Sequence, residues 1–115
     1  VSLIRKNNLT TTLYGSPQYV AGIEDVVLSE AHTGPRTVVL PSISSTKATT
    51  NNSHKVTIID KGGDAGTNNI TINIHGSNSF SDVDTNGSPA NNVNKINTDH
   101  GTATFVGNGT VWYRI

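Results

Sequence analysis

The segment with the clearest metal-ligand spacing is Asp82-Val-Asp-Thr-Asn-Gly87, where oxygen-bearing side chains at alternate positions precede a glycine. This spacing matches the first half of a calcium loop, because a hard cation takes oxygen ligands and the glycine lets the backbone wrap around it. The match fails at the twelfth position, which is Val93 rather than a bidentate glutamate, and no helical pattern flanks the segment. A polar turn is the favoured interpretation. The alternative is a cation site made by Asp82, Asp84 and Asn86.

Histidine is the other residue type that could bind a metal. The four histidines, His32, His54, His75 and His100, are never paired as His-x-His or His-x-x-x-His. Surface or hydrogen-bonded histidine is therefore favoured. One histidine per chain could still bind an ion on the axis of a threefold assembly, and the sequence leaves that open.

Catalytic motifs are not found in the sequence. There is no cysteine, no Gly-x-Ser-x-Gly elbow and no phosphate loop. Lys61-Gly-Gly63 is glycine-rich, but no helical pattern follows it to hold an anion. Glu24, Asp25 and Glu30 lie near one another, yet adjacent residues of a strand point to opposite faces. We therefore predict that the chain is not an enzyme and binds no cofactor.

Composition points to a single small domain that gains stability by association. The chain has 115 residues, 33% of them hydrophobic, and no disulfide can form. Small chains with a thin core often associate. The formal net charge is zero with 14% charged residues, which argues against nucleic-acid and polybasic membrane partners. The apolar runs are too short to cross a bilayer, and no signal-peptide core is visible, so synthesis in the cytoplasm is expected.

Hydrophobic alternation predicts short strands separated by turns. Ile70, Ile72 and Ile74 share one face of the clearest strand, and Gly107-Asn-Gly109 is a hairpin-type turn. No segment has a helical period. The fold class expected is all-β: a small antiparallel β-sandwich or β-prism-like domain over residues 23–115, with an extended N-terminal arm over residues 1–22. The strands predicted most clearly span residues 36–40, 54–60, 69–75, 102–106 and 110–115.

Four segments in order carry a resemblance to a known family. They are Thr37-Val-Val-Leu-Pro41, Val56-Thr-Ile-Ile-Asp-Lys-Gly-Gly-Asp-Ala65, Thr67-Asn-Asn-Ile-Thr-Ile72 and Gly109-Thr-Val-Trp-Tyr-Arg-Ile115. Together they resemble a β-domain found in tailed-phage head decoration (cement) and tail-fibre proteins. The resemblance covers residues 36–115. The polar loop at 77–92 is longer than the family pattern implies.

The resemblance implies a homotrimer without catalytic activity. We expect a structural virion protein of a tailed bacteriophage, located on the capsid surface. It would be a trimeric capsid decoration protein that stabilises the shell by bridging major capsid proteins. The alternative is a receptor-binding or structural module of a phage tail fibre or spike. A cellular lectin-like module is a third class.

Two groups of residues are expected to make the contacts that this function needs. The isoleucine stripe could be buried under a second sheet or against sister copies, and both remain open. Trp112 is predicted to be the buried member of the Trp112–Tyr113 pair. The predicted trimer and core residues are Ile70, Ile72, Ile74, Phe105 and Trp112. The predicted capsid-binding residues of the arm are Leu3, Ile4, Arg5, Leu9, Leu13, Tyr14 and Tyr19.

Overall fold

A computed structural model describes seven stretches of the chain. They are residues 11–14, 18–21, 26–31, 33–43, 54–76, 78–108 and 110–115. For residues 11–14 and 54 the description covers the backbone alone. All structural statements below concern these residues.

The described stretches form ten β-strands and contain no α-helix. This confirms the all-β prediction. The strands are β1 (Thr11–Tyr14), β2 (Gln18–Val20), β3 (Val26–Ser29), β4 (Arg36–Val39), β5 (His54–Asp60), β6 (Ile70–Asn73), β7 (Ser79–Phe80), β8 (Lys95–Ile96), β9 (Thr102–Asn108) and β10 (Val111–Arg114).

The first six strands alternate between two sheets. The first sheet has the order β1-β3-β5-β9-β10-β7, and the second has the order β2-β4-β6-β8. β1, β3 and β5 pair in parallel, and so do β2, β4 and β6. Each successive pair, β1–β2, β3–β4 and β5–β6, therefore forms one coil of a three-coil stack, and each coil contributes one strand to each sheet.

Antiparallel strands close the stack after the third coil. β9 runs antiparallel to β5, and β10 runs antiparallel to β9. In the second sheet β8 runs antiparallel to β6. Because these strands reverse direction, no further parallel coil follows β5 and β6. This C-terminal side of the stack is called the closed end below.

The antiparallel arrangement predicted from sequence is wrong, because both sheets are mixed. His32-Thr-Gly-Pro35 separates β3 from β4, yet β3 belongs to the first sheet and β4 to the second. The hairpin predicted around Gly107-Asn-Gly109 is confirmed, since Asn108 of β9 pairs with Val111 of β10.

One hydrophobic cluster contains buried residues from strands of both sheets. Alternating burial along β9 shows the cause, because every second residue of a strand points inward. Phe80 and Phe105 pack at a ring-centroid distance of 6.0 Å. The largest apolar side chains that are fully buried are Trp112, Phe105, Leu40, Ile58, Ile70, Ile72 and Ile96.

Candidate functional site

A buried arginine forms the densest polar contact set in the described part of the chain. Arg36, the first residue of β4, is 1% exposed. Its Nη1 donates to Ser29 Oγ at 2.6 Å and to the backbone oxygen of Glu30 at 2.6 Å, and it lies 3.3 Å from Asp60 Oδ1. Its Nη2 lies 2.8 Å from Asp64 Oδ1. We call Arg36, Ser29, Asp60 and Asp64 the Arg36 cluster.

The Arg36 cluster joins the second coil to the third. Ser29 ends β3, Arg36 begins β4 and Asp60 ends β5, so one guanidinium contacts strands of both sheets. Nη2 also donates to the backbone oxygen of Asn68, shortly before β6, at 3.0 Å. This arrangement fixes the ends of four strands at one point.

Asp60 organises the glycine-rich turn through backbone hydrogen bonds. Its Oδ2 accepts the amides of Ala65 at 2.8 Å and His100 at 3.0 Å, and its Oδ1 accepts the amide of Gly63 at 3.1 Å. Burial raises the pKa of Asp60, but the amides of Ala65 and His100, the Arg36 guanidinium and the amide of Gly63 together lower it below its ordinary value of 3.8. The carboxylate is thus held ionised inside the fold.

The lowered pKa of Asp60 predicts acid-labile stability. A depressed folded pKa contributes stability that is fully present above the unfolded pKa, about 3.9. That contribution to stability is lost as the pH falls below the pKa of Asp60 in the unfolded chain and towards its lower pKa in the folded chain. Thermal unfolding of the wild-type chain should therefore show a midpoint that drops steeply below about pH 4. The D60N variant should unfold at lower temperature at neutral pH and show a shallower acid dependence.

Asp99 supplies the matched control for this measurement. It is exposed and accepts one amide, that of Gly66 at 2.8 Å. D99N should retain the steep acid limb. Parallel pH profiles for the wild type and D60N would contradict the role given to Asp60.

A second arginine fastens the C-terminal strand to the closed end. Arg114 Nη1 donates to the backbone oxygens of Asn92 at 3.0 Å and Lys95 at 2.9 Å, and Nη2 donates to that of Thr102 at 3.3 Å. Burial lowers the pKa of the Arg114 guanidinium. Because its guanidinium donates to backbone carbonyls, Arg114 links β8, β9 and β10.

A polar surface pocket of about 360 Å³ lies beside Arg114. Asp82 on its wall accepts a hydrogen bond from Asn91 Nδ2 at 3.0 Å, and Arg114 is engaged as described. The lining holds one carboxylate, so it does not supply the carboxylate pair that glycoside cleavage requires. A second pocket of about 360 Å³ is more apolar and is lined by Ile74, Phe80, Val83 and Pro89 among others.

No protein-family model matches the chain, and no curated protein matches it significantly. Within the described ranges no helix is long and apolar enough to cross a membrane.

The segment considered as a calcium loop forms a turn closed by its own groups. Asp84 Oδ1 accepts the amides of Asn86 at 2.8 Å and Ser88 at 3.0 Å, and Gly87 adopts a positive φ of 83°. Asp82 contacts Asn91 instead. Among the residues that the structure describes, no three His, Asp or Glu side chains are placed to hold a metal ion.

The predicted trimer and core residues lie in or against the core. Ile70, Ile72, Phe105 and Trp112 are buried, and Ile74 is partly buried against the same cluster. Tyr113, on the other face of β10, is 43% exposed. The inner face of the second sheet thus accounts for Ile70 and Ile72 within one chain, and their part in a trimer stays a prediction.

The predicted arm residues fall into two groups. Leu3, Ile4, Arg5 and Leu9 lie outside the described residues. Leu13 and Tyr14 belong to β1, which pairs with β3, and Tyr19 belongs to β2 and is half-buried against the core. Their contact with a capsid stays a prediction.

The two arginines that organise the structure were not singled out from the sequence. Arg36 was seen only as the first residue of a strand, and Arg114 only as part of the terminal motif. One feature of the sequence could have pointed to this site. Asp60 lies two residues before Gly62-Gly63, and a carboxylate next to a tight turn often accepts backbone amides.

Proposed function

We propose that the chain is a structural, non-catalytic protein of a tailed-phage virion that serves as a trimeric capsid decoration protein. The observation that carries the proposal is that two of the resembling segments contact the Arg36 guanidinium, while a third follows Arg36 along the chain. The Thr37–Pro41 segment begins directly after Arg36. The second segment contributes Asp60 and Asp64, and the third contributes the carbonyl of Asn68. Residues of the second and third segments thus belong to the structural joint around Arg36.

The charges at this joint support a mechanical role. The Arg36 guanidinium forms ion pairs with two carboxylates and donates hydrogen bonds to one hydroxyl and two carbonyls. Groups neutralised in this way are not free to bind a substrate or transfer a proton. Their effect is to hold strand ends of both sheets together, which suits a protein that bridges capsid proteins under load.

Within the arm predicted over residues 1–22, we propose that the part before β1 makes the capsid contact. β1 begins at Thr11, so residues 1–10 precede the first strand of the described fold. Leu3, Ile4, Arg5 and Leu9 combine apolar side chains with one cation, a composition suited to a groove between capsid proteins. Exposed Tyr113 offers an aromatic anchor for a neighbouring subunit.

A structural module of a tail fibre or spike is the second candidate. One observation favours it: three parallel coils are stacked along one direction, and antiparallel strands close one end. Stacked β-coils are quasi-one-dimensional and suit an elongated appendage. In this placement the closed end would terminate the appendage.

Two measurements test the proposed function. The chain has a mass of 12.1 kDa, so a trimer should sediment near three times that value. Antibodies raised against the chain should label the heads of intact virions. Antibody label confined to tails would favour the fibre or spike. If the chain sediments as a 12.1 kDa monomer and the antibodies label no virion, both placements are overturned.

A further inference from the structure

The polar pocket beside Arg114 is lined by two cations whose charge no described carboxylate neutralises. Arg114 and half-buried Lys95 both line it. The hydrogen bonds of Arg114 go to backbone oxygens, which are neutral and leave its positive charge in place. In the ion pairs between described residues the cations are Arg36 and Lys61. The pocket therefore favours an anionic group near Lys95.

Polar groups that suit hydroxyls line the same pocket. Asp82 is half-buried, and its Oδ2 accepts a hydrogen bond from Asn91 Nδ2 at 3.0 Å. Ser81 and Asn97 add a hydroxyl and a second amide. Hydroxyl and amide groups both donate and accept, whereas a carboxylate accepts only, so together they match the O–H groups of a sugar. A site for a bare inorganic anion would gain nothing from Asp82, because like charges repel.

The backbone fixes the walls of this pocket. Asn91 and Asn92 adopt positive φ angles of 55° and 56°, a left-handed conformation that asparagine tolerates better than most residues. The Ala90 amide donates to the Asp82 carbonyl at 3.0 Å, and the Lys95 amide donates to the Asn92 carbonyl at 3.1 Å. The volume of about 360 Å³ lies at the lower end of the range for small-molecule sites, about 300–1,000 Å³. It suits a ligand such as one sugar residue.

We propose that this pocket binds a uronic acid residue of an acidic polysaccharide. The sugar carboxylate would pair with the Lys95 ammonium, and the sugar hydroxyls would hydrogen-bond with Asp82 and the neighbouring amides. Because the lining holds one carboxylate, the sugar would be bound without cleavage. Half of the lining residues belong to the polar loop at 77–92, the segment that is longer than the family pattern implies. The inference goes beyond capsid decoration and holds for a head or a fibre location.

The test is an NMR titration of the full chain with the methyl glycosides of glucuronic acid and galacturonic acid. The matched neutral ligands are methyl glucoside and methyl galactoside, which carry a hydroxymethyl group in place of the carboxylate. At least one uronate should shift the amides of residues 81–82, 91–97 and 114 saturably and leave those of β3 and β4 unchanged. None of the lining residues is aromatic, so we expect a dissociation constant in the millimolar range. The neutral counterpart should bind about fivefold more weakly.

Lys95 gives the first variant, and Lys55 gives its matched control. K95M removes the ammonium but keeps an apolar stem, so uronate binding should weaken about fivefold while binding of the neutral sugar does not change. Lys55 is exposed on β5 and does not line the pocket. K55M makes the same change in net charge and should bind the uronate as the wild type does.

Asp82 distinguishes a sugar site from a site for any small anion. D82A removes an acceptor for hydroxyls together with a negative charge. The Asp82 side chain contacts the exposed Asn91, so the fold should be retained. D82A should weaken uronate binding about fivefold or more, because hydrogen bonds to a charged acceptor are lost. Binding of inorganic phosphate should not weaken, because a repelling charge is removed.

Four outcomes would overturn the proposal. One is the absence of shifts with both uronates at about 20 mM, well above a millimolar dissociation constant. Another is equal binding of each uronate and its neutral counterpart. The third is equal weakening by K95M and K55M, which would mean that net charge alone determines binding. The fourth is unchanged or tighter uronate binding by D82A, which would leave a site for small anions only.

Discussion

Replacing Arg36 with methionine is expected to destabilise the fold by about 3–5 kcal/mol, because it leaves buried Asp60 without its cation. Methionine fills a similar length but donates no hydrogen bond. Ser29, Asp64 and the carbonyls of Glu30 and Asn68 would also lose their donor. A total stability of about 5–15 kcal/mol makes this a large fraction. The free energy of unfolding from urea titration, at fixed protein concentration, measures the effect.

Lys61 provides the control in the same region. Its ammonium pairs with Glu30 Oε1 at 3.7 Å, but its side chain is 52% exposed. Exposed pairs contribute about 0–1 kcal/mol, so K61M should be nearly neutral. If R36M and K61M lower the free energy of unfolding by similar amounts, burial does not determine how much the Arg36 cluster contributes to stability.

The acid dependence of R36M gives a second readout. Without the guanidinium the pKa of Asp60 should rise, so the carboxylate accepts a proton at higher pH than in the wild type. Protonation removes the unpaired charge. The deficit of R36M relative to the wild type should therefore shrink as the solution is acidified.

Replacing Gly62 with alanine is expected to destabilise the chain by about 3 kcal/mol or more, since it overpacks a contact between backbones. A β-carbon at Gly62 would lie 2.1 Å from the backbone nitrogen of Ala31 and 2.5 Å from its Cα. The Gly62 amide also donates to the Ser29 carbonyl at 3.0 Å, which ties the third coil to the second. Relief of the clash would have to move one coil away from the other.

Gly76 is the matched control, because a β-carbon there would meet no atom within 4 Å. G76A should therefore keep the wild-type unfolding midpoint or raise it slightly through the less flexible unfolded chain. Equal midpoints for G62A and G76A would mean that the coils are spaced more widely at Ala31 than the structure shows.

Hydrophobic alternation in the sequence predicts which face of each strand is buried, but it does not predict which strands pair with each other. Ile70 and Ile72 point inward as their spacing predicts, and the strands around them were located to within a few residues. Period-two patterning is the same for parallel and antiparallel neighbours, so the crossing of the chain between sheets was not visible. The turn signal before Arg36 fits a hairpin and a crossover equally well.

The Arg36 cluster could not be derived from spacing. Asp60 lies 24 residues and Asn68 lies 32 residues from Arg36 along the chain. Arginine is seldom fully buried unless it is paired, and the partners of Arg36 lie far from it in the sequence. Only the parallel stacking of β3, β4, β5 and β6 brings the strand ends together.

The place of β5 in its sheet has a consequence for how the chain is made. β5 pairs with β3 on one side and with β9 on the other, and Thr57 contacts Thr104 across 47 residues of sequence. During translation β5 leaves the ribosome well before its second neighbour exists. Until β9 is synthesised, the seven-residue strand β5 has one edge whose backbone groups are unpaired. Such an edge is prone to pair with other chains and aggregate. Premature termination before β9 would thus yield a fragment prone to aggregation, and folding of the first sheet depends on the synthesis of β9.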